Sequence, residues 1–254
     1  ILKIEGMVRL YEDLDFLPVR MSLYINEEAP PVYDDQVGFR LSWCRPSDIH
    51  VAPEWFSGPF SIPTVAQGTL PDENFISTLM AICAFSEYDL LETIIASRPD
   101  DFKDFGVYSC RFYVEGEWVE VITDTRIPSI KDDLTGVVSP IYSTSPNAQE
   151  MWIALLEKAY AKAVGSYEAI QKVKVQEALL HLTGGSVRQF STRDAHNPPS
   201  MWLLIKSLFD EGSILLMAAP AEECSEEGGL DTIGGDDEDG DARAGPASTA
   251  NMSS

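Results

Sequence analysis

Two adjacent runs of β-branched and aromatic residues constrain the fold most, because such runs are typical of paired strands. Residues 107–114 read VYSCRFYV and residues 117–124 read EWVEVITD, and only Glu115-Gly116 separates them. A two-residue connection that contains glycine is typical of a tight hairpin turn. The sequence therefore predicts an antiparallel β-hairpin over residues 107–124.

Helices are predicted on both sides of this hairpin, which indicates an α+β fold. Asp72 follows Pro71 as a typical N-cap, and a helix of about three turns follows it. Its apolar positions are Phe75, Ile76, Leu79, Met80, Ile82 and Cys83. Downstream, Asn147 and Glu150 resemble a capping box before a helix that ends near Gly165. The apolar face of that helix comprises Trp152, Leu155, Leu156, Ala159, Tyr160 and Ala163.

The C-terminal part of the sequence predicts a short helix at about 201–209 and an apolar strand over Ser213–Ala219. Residues 221–254 carry ten acidic side chains and one arginine. Such a segment has too little apolar surface to offset the entropy of ordering, so it is predicted to be disordered. The chain starts at Ile1, which indicates a fragment or a processed product.

Charge and composition narrow the classes of partner. The net charge is −23, which argues against nucleic acid and favours protein partners. No stretch reaches the roughly 18 apolar residues that a membrane helix needs. The four cysteines form no close pairs, so neither a zinc site nor a disulfide framework is expected. An intracellular, cytoplasmic protein is the resulting expectation.

Several segments resemble, in their order along the chain, the catalytic domain of the calpain family. Calpains are papain-like cysteine peptidases. The matching segments are Trp43–Ile49, Phe112–Asp124 with Arg126-Ile127-Pro128, Ala154–Tyr167 (ALLEKAYAKAVGSY) and Leu182–Gly185. The resemblance runs from about residue 40 to residue 219. The helix string is its most specific part, because many other sequences would satisfy the helical period.

The resemblance implies a papain-like protease core and the following division of the chain. Residues 1–45 are an N-terminal lead-in, and residues 46–172 are the helical, cysteine-bearing subdomain with its hairpin. Residues 173–220 are the beginning of an incomplete, β-rich second subdomain, and residues 221–254 are an acidic disordered tail or insertion.

The resemblance also places glutamate at the nucleophile position. In the family, a glutamine-glycine-x-leucine-glycine-aspartate-cysteine-tryptophan run opens the first core helix. Here the run is Gln67-Gly68-Thr69-Leu70-Pro71-Asp72-Glu73-Asn74. A helix N-terminus favours a thiolate nucleophile, but the carboxylate of Glu73 attacks an amide less well. The matching run therefore predicts a domain that does not cleave peptide substrates.

Other positions of the run and of the substrate-facing wall depart from the family as well. Pro71 replaces a glycine and removes a backbone donor beside the oxyanion position. Gln171-Lys172-Val173 stands where the family has a glycine pair that meets substrate. Gln67 matches the oxyanion glutamine, but the role of a buried amide that bonds backbone in its own loop is an equal alternative.

No catalytic base or replacement nucleophile is predicted. His50, His181 and His196 lie outside the family's glycine-histidine-alanine context and are expected to be surface or capping residues, and the family's catalytic histidine and asparagine segments are absent from this chain. Cys83 and Cys110 are expected in the core. Acidic neighbours disfavour the thiolate of Cys224.

Calcium is the one ion that the resemblance implies, and the sequence predicts that its site is weakened. Glu150 matches one of two carboxylates of the family's site, but Thr64 stands in place of the other. A helix-capping role for Glu150 is the preferred alternative, and no other cofactor is expected.

Three functions follow from these residues. The leading hypothesis is a catalytically inactive calpain-like domain that acts as an interaction or regulatory module. The alternative is a calcium-dependent cysteine endopeptidase whose activity is supplied by other parts of a longer chain. An unrelated α+β binding protein is the third, and the helix string argues against it.

Overall fold

The computed structural model describes residues 3–4, 7–26, 28–31, 41–56, 58, 62–85, 90–191 and 198–217. One compact unit covers Ile1–Leu216, and of the second unit, Met217–Ser254, only Met217 is described. The predicted disorder of residues 221–254 falls outside the described residues. The boundaries predicted at residues 45, 172 and 220 stay predictions.

The strands are short and antiparallel wherever they pair. They are β1 (Lys3–Ile4), β2 (Met7–Val8), β3 (Leu41–Cys44), β4 (Val107–Val114), β5 (Glu117–Asp124), β6 (Ile127–Lys131) and β7 (Val138–Pro140). The described strands form a β1-β2 pair, a β3-β6-β7 sheet and a β4-β5 pair.

The helices range from single turns to thirteen residues, and they contribute much of the core. They are α1 (Arg20–Leu23), α2 (Pro46–Ile49), α3 (Glu73–Ala84), α4 (Leu90–Ile94), α5 (Trp152–Val164), α6 (Tyr167–Ile170), α7 (Val175–Thr183) and α8 (Pro198–Asp210). A 3-10 turn (Ile62–Thr64) and a π-helical turn (Asp101–Phe105) complete the described elements. The α+β class is thereby confirmed.

The predicted hairpin is present with the predicted turn. The pairing runs from Val107 opposite Asp124 to Val114 opposite Glu117. Glu115 and Gly116 both have positive φ, at 52° and 89°. Two successive left-handed residues make a turn whose twist matches that of the strands.

Helix α5 is the centre of the core and is buried on every side along residues 152–161. The ring of Phe75 from α3 stacks on Tyr160 with 4.4 Å between centroids, and Phe112 from β4 meets Tyr160 edge-on at 5.2 Å. The helix ends at Gly165, as predicted, with φ at 112°. Tyr160 is therefore the point where α3, α5 and the hairpin meet.

The capping box predicted before α5 is wrong. The N-cap residue is Met151, and no side chain caps the helix. Asn147 instead forms a turn in which its carbonyl accepts a hydrogen bond from the Glu150 N–H at 2.9 Å. The buried face of α5 holds the helix in place, so that a polar cap is not required.

The N-terminal residues pack on the same core. Phe16, Leu23 and Tyr24 are buried within it. Both carboxylate oxygens of Asp13, which is buried, accept hydrogen bonds from Lys162 Nζ on α5 at 2.8 Å. Residues 13–24 therefore contribute to the fold of the domain.

The C-terminal helix α8 starts three residues earlier than predicted. The strand predicted for Ser213–Ala219 is absent from residues 213–217, and residues 218–219 lie outside the described part. An apolar run signals burial, whereas a strand also needs a neighbouring strand to pair with. Apolar side chains of α8 are left in solvent, with Trp202 and Leu203 each 65% exposed.

Candidate active site

The site predicted from the sequence lies at the N-terminus of α3. The helix begins at Glu73, whose side chain is exposed, and Asp72 occupies the N-cap position as predicted. Asp72 makes no side-chain cap hydrogen bond. The carboxylate of Glu73 thus stands at the positive end of a twelve-residue helix, where the macrodipole stabilises negative charge.

The loop before α3 is held against the segment before α5. Ala66 and Thr144 exchange backbone hydrogen bonds of 2.8 and 2.9 Å, and the Thr69 N–H donates to the Ile141 carbonyl at 2.9 Å. At Gly68 a Cβ would lie 2.1 Å from the Tyr142 carbonyl oxygen. Only glycine fits this close backbone approach, so Gly68 fixes the position of the loop.

The amide of Gln67 is turned into its own loop. Its Nε2 donates to the Leu70 carbonyl at 2.9 Å and to Asp72 Oδ1 at 3.3 Å. This is the local role that sequence reasoning gave as the alternative, although the side chain is exposed and not buried as expected. An oxyanion donor at this position would first have to leave the Leu70 carbonyl.

Beneath this loop lie two buried carboxyl groups that sequence reasoning missed. Asp72 and Glu157 are each 1% exposed, and each carboxyl group is close enough to the other to affect its pKa. Burial raises the pKa of Asp72 to about 6, although the interactions with Glu157 and Gln67 act to lower it. Burial, reinforced by the carboxyl group of Asp72, raises the pKa of Glu157 well above its usual range. The Ser143 N–H donates to Glu157 Oε2 at 2.9 Å.

The wall formed by Gln171-Lys172-Val173 is tied to α3. Asn74, which follows Glu73, donates from Nδ2 to the Val173 carbonyl at 3.0 Å. The side chain of Val173 is buried, whereas that of Lys172 is exposed. A backbone acceptor beside Glu73 is thereby used within the chain.

The described histidines are engaged elsewhere. His50 Nδ1 accepts a hydrogen bond from the Ala52 N–H at 3.1 Å. His181 is a half-buried residue of α7 whose Nδ1 lies 2.8 Å from the Tyr160 hydroxyl, so the expected surface or capping role is wrong for it. Burial lowers the pKa of His181. His196 lies outside the described residues.

The cysteines are placed largely as expected. Cys110 is fully buried in β4 and Cys83 is half-buried in α3. Burial raises the pKa of the Cys83 thiol to about 12 and that of Cys110 further, so neither forms a thiolate readily. Cys224 lies outside the described residues.

Glu150 is buried next to the start of α5, but it does not cap that helix. Its Oε2 accepts a hydrogen bond from Ser145 Oγ at 2.7 Å. The backbone on either side is fixed by Glu54, whose N–H donates to Gln149 and whose carbonyl accepts from Met151. Within the described ranges, no group of three or more histidine, cysteine, aspartate or glutamate residues could hold a metal ion.

A second buried charge cluster joins the hairpin to α5. Lys158 is 1% exposed, and its Nζ donates to Asp124 Oδ1 at 2.6 Å and to the carbonyls of Asp124 and Arg126 at 2.9 and 2.8 Å. Burial lowers the pKa of Lys158 to about 8. Burial alone would raise the pKa of Asp124, but Arg126 and Lys158 hold it well below its usual range.

Two cavities of the described surface lie away from this site. One of about 330 Å³ is lined by residues that include Arg45, Phe102 and Lys103. The other, of about 410 Å³, lies beside the hairpin at Arg111, Trp118 and Glu120. Neither cavity is lined by Gln67 or Glu73.

Comparison with known proteins agrees with this architecture. Residues 11–232 match the calpain family of cysteine proteases. The calpain-type cysteine protease DEK1 of maize is 33% identical over 224 residues, which cover 84% of this chain and 10% of that protein. The calpain-2 catalytic subunit of chicken is 30% identical over 209 residues, covering 82% of this chain and 28% of that protein. Calpain-B of Drosophila melanogaster is 32% identical over 209 residues, which cover 81% of this chain and 20% of that protein.

The chain therefore belongs to the calpain family of cysteine proteases. This confirms the resemblance drawn from the sequence. The chain spans between a tenth and just over a quarter of the length of these relatives. None of the described helices combines the length and the apolar character that crossing a bilayer requires.

Proposed function

We propose that this chain is a calpain-family domain that does not cleave peptides and that acts as an interaction or regulatory module for protein partners. The observation that carries the proposal is the exposed carboxylate of Glu73 at the first position of α3, where the family's run has its cysteine. The rest of the run, from Gln67 to Asp72, keeps its register.

The chemistry of Glu73 supports the absence of turnover. The field of the helix N-terminus stabilises a carboxylate as well as it would a thiolate. A carboxylate is nevertheless a poor nucleophile toward an amide, and its attack would form an anhydride where the thiolate forms a thioester. The site thus retains its electrostatics without the reactive atom.

The surroundings of Glu73 support the same conclusion. The amide of Gln67 donates hydrogen bonds to Leu70 and Asp72, and the amide of Asn74 donates one to Val173. The histidines of the described part bond Ala52 and Tyr160. Among the residues that the structure describes, neither an oxyanion donor nor a general base is arranged around position 73.

The remaining expectations belong to the same proposal. The single described carboxylate of the expected calcium site, Glu150, argues for weak calcium binding. The charge of −23 argues against nucleic acid as a partner. Cys44, Cys83 and Cys110 are free thiols, which supports a reducing, cytoplasmic compartment.

Cleavage of unfolded casein by the purified chain, with and without calcium, tests this function. The expected rate equals that of a matched Glu73→Ala variant, because neither chain has a thiol at the helix N-terminus. Cleavage that a thiol-alkylating inhibitor abolishes would overturn the proposal. Casein cleavage by a longer polypeptide, abolished by Glu73→Ala, would instead favour the alternative of a calcium-dependent endopeptidase that uses this domain.

A further inference from the structure

The buried pair beneath the active-site loop has an unusual hydrogen-bond balance. Asp72 Oδ1 accepts from Gln67 Nε2, and Glu157 Oε2 accepts from the Ser143 N–H. Asp72 Oδ2 and Glu157 Oε1 are both buried and make no hydrogen bond within the described part of the chain. The Ser143 hydroxyl, also buried and unpaired, is the neutral donor nearest in role, since its interaction with Glu157 acts to lower the pKa of that group. Two unpaired carboxylate oxygens that are removed from water cost several kcal/mol, on the order of the penalty for a buried unpaired charge.

One proton removes this cost. A carboxylic acid can donate to a neighbouring carboxylate, whereas two ionised carboxylates in contact repel each other. We propose that Asp72 and Glu157 share a proton between Oδ2 and Oε1, and that this proton fastens the loop of residues 66–72 to α5 in a pH-dependent way. The raised pKa values of both groups agree with this arrangement.

Among the described groups around the pair, none supplies a competing cation. Glu73 adds negative charge one residue beyond Asp72. Tyr167 from α6 contacts Tyr142, and burial followed by the charge of Glu157 raises the pKa of Tyr167, so its phenol stays neutral. The next residue along α5, Lys158, is committed to Asp124.

The direction of the pH effect follows from linkage. A carboxyl group whose pKa is higher in the folded than in the unfolded chain binds more protons when folded. Its stabilising effect is full below the unfolded values of 3.8 for aspartate and 4.5 for glutamate, and it is lost as the pH rises. For Asp72 the loss is complete above about pH 6, and the raised pKa of Glu157 moves its loss to a higher pH than that of an exposed glutamate.

Denaturant unfolding of the whole chain between about pH 5 and pH 7.5 tests the proposal with Glu157→Gln. The glutamine amide can donate to Asp72 and accept from Ser143 without a titrating proton. Relative to this variant, the unfolding equilibrium constant of the wild type is expected to rise by up to about tenfold per pH unit, the value for one proton. Other titrating groups, such as His181, are common to both chains and cancel.

Two further measurements keep the test decisive. Asp72→Asn should flatten the pH dependence in the same way, whereas Glu117→Gln, at an exposed position of the hairpin, should leave it unchanged. The infrared carbonyl stretch of a protonated carboxyl should persist above pH 6.5 in the wild type and vanish in either pair variant. Parallel pH profiles for wild type and Glu157→Gln, or the absence of that infrared band, would overturn the shared proton. None of these readouts depends on peptidase activity.

Discussion

Two of the buried carboxylates described in this domain, Asp124 and Glu157, are accommodated in opposite ways. Asp124 and Glu157 are both almost inaccessible to water. Asp124 is surrounded by Lys158, Arg126 and the Asp13 N–H, and its pKa is held low. Glu157 faces another carboxyl, and its pKa is raised. Burial by itself therefore does not decide the charge of a group, whereas its neighbours do.

The difference separates a fixed part of the domain from a titratable part. The Asp124 cluster connects the N-terminal residues, the hairpin and α5, and its ions stay charged up to about pH 7, below the lowered Lys158 pKa of about 8. The pair of Asp72 and Glu157 lies under the loop that carries Gln67. A change of pH between about 5 and 7 should thus act on the loop of residues 66–72 while it leaves the hairpin and the N-terminal segment in place.

The largest expected effect is that of Lys158→Met. Removal of Nζ takes one donor from each of two carbonyls and from Asp124 Oδ1, which keeps only the Arg126 N–H among its described donors. Breaking a buried ion pair from one side costs about 3–5 kcal/mol. The free energy of unfolding from chemical denaturation measures this cost. Lys206, which is 60% exposed and pairs with Asp210 at 3.5 Å, provides the control, since Lys206→Met should change stability by about 0.5 kcal/mol or less. Equal effects of both substitutions would contradict the structural role of the Asp124 cluster.

The second prediction concerns the acid side of the stability profile. The folded pKa of Asp124 is lower than its unfolded value of 3.8, so its contribution is full above that value and is lost as the pH falls below it. The wild type should lose about 2 kcal/mol more than Asp124→Asn between pH 4 and pH 2. Unfolding curves at these pH values provide the measurement. If the stability of both chains falls equally steeply between pH 4 and pH 2, other carboxyl groups cause the loss of stability in acid.

The smallest expected effect is that of calcium on thermal stability. Thr64 supplies no charge, and Glu150 is already held by Ser145. Millimolar calcium should leave the melting temperature of the chain nearly unchanged once magnesium has been used to correct for screening. A calcium-specific rise of several degrees that disappears in Glu150→Gln would show that the domain responds to calcium. Glutamine keeps the shape of the side chain and removes its charge, so the variant isolates ion binding.

Local periodicity was sufficient to predict the hairpin, α3 and α5. The alternation of β4 and β5 and the apolar spacing of the two helices each have one dominant structural solution. The motif from Gln67 to Glu73 likewise located the candidate site at a helix N-terminus. These features depend on residues close together in sequence.

The buried charges could not be predicted in the same way. Glu157 and Lys158 lie in an apolar helix string, and charged residues are assigned to the solvent face by default. Their burial depends on Ser143, Asp72 and Asp124, which are up to 85 residues away in sequence. The same holds for Ser213–Ala219, since the presence or absence of a pairing strand is not encoded in that run. Glu150 was assigned to a cap because the spacing fits one, but Ser145 holds it instead.

The close contact between Gly68 and the Tyr142 carbonyl bears on how this domain can evolve. Position 73 points into solvent, so selection for folding places almost no restriction on its side chain once catalysis is dispensable. Position 68 has no room for any Cβ, whatever the domain does. A peptidase motif of this kind is thus a mixture of chemical and architectural positions. In a lineage that no longer needs the reaction, the chemical positions can change while the architectural positions stay the same. The motif then remains recognisable although its nucleophile has been lost.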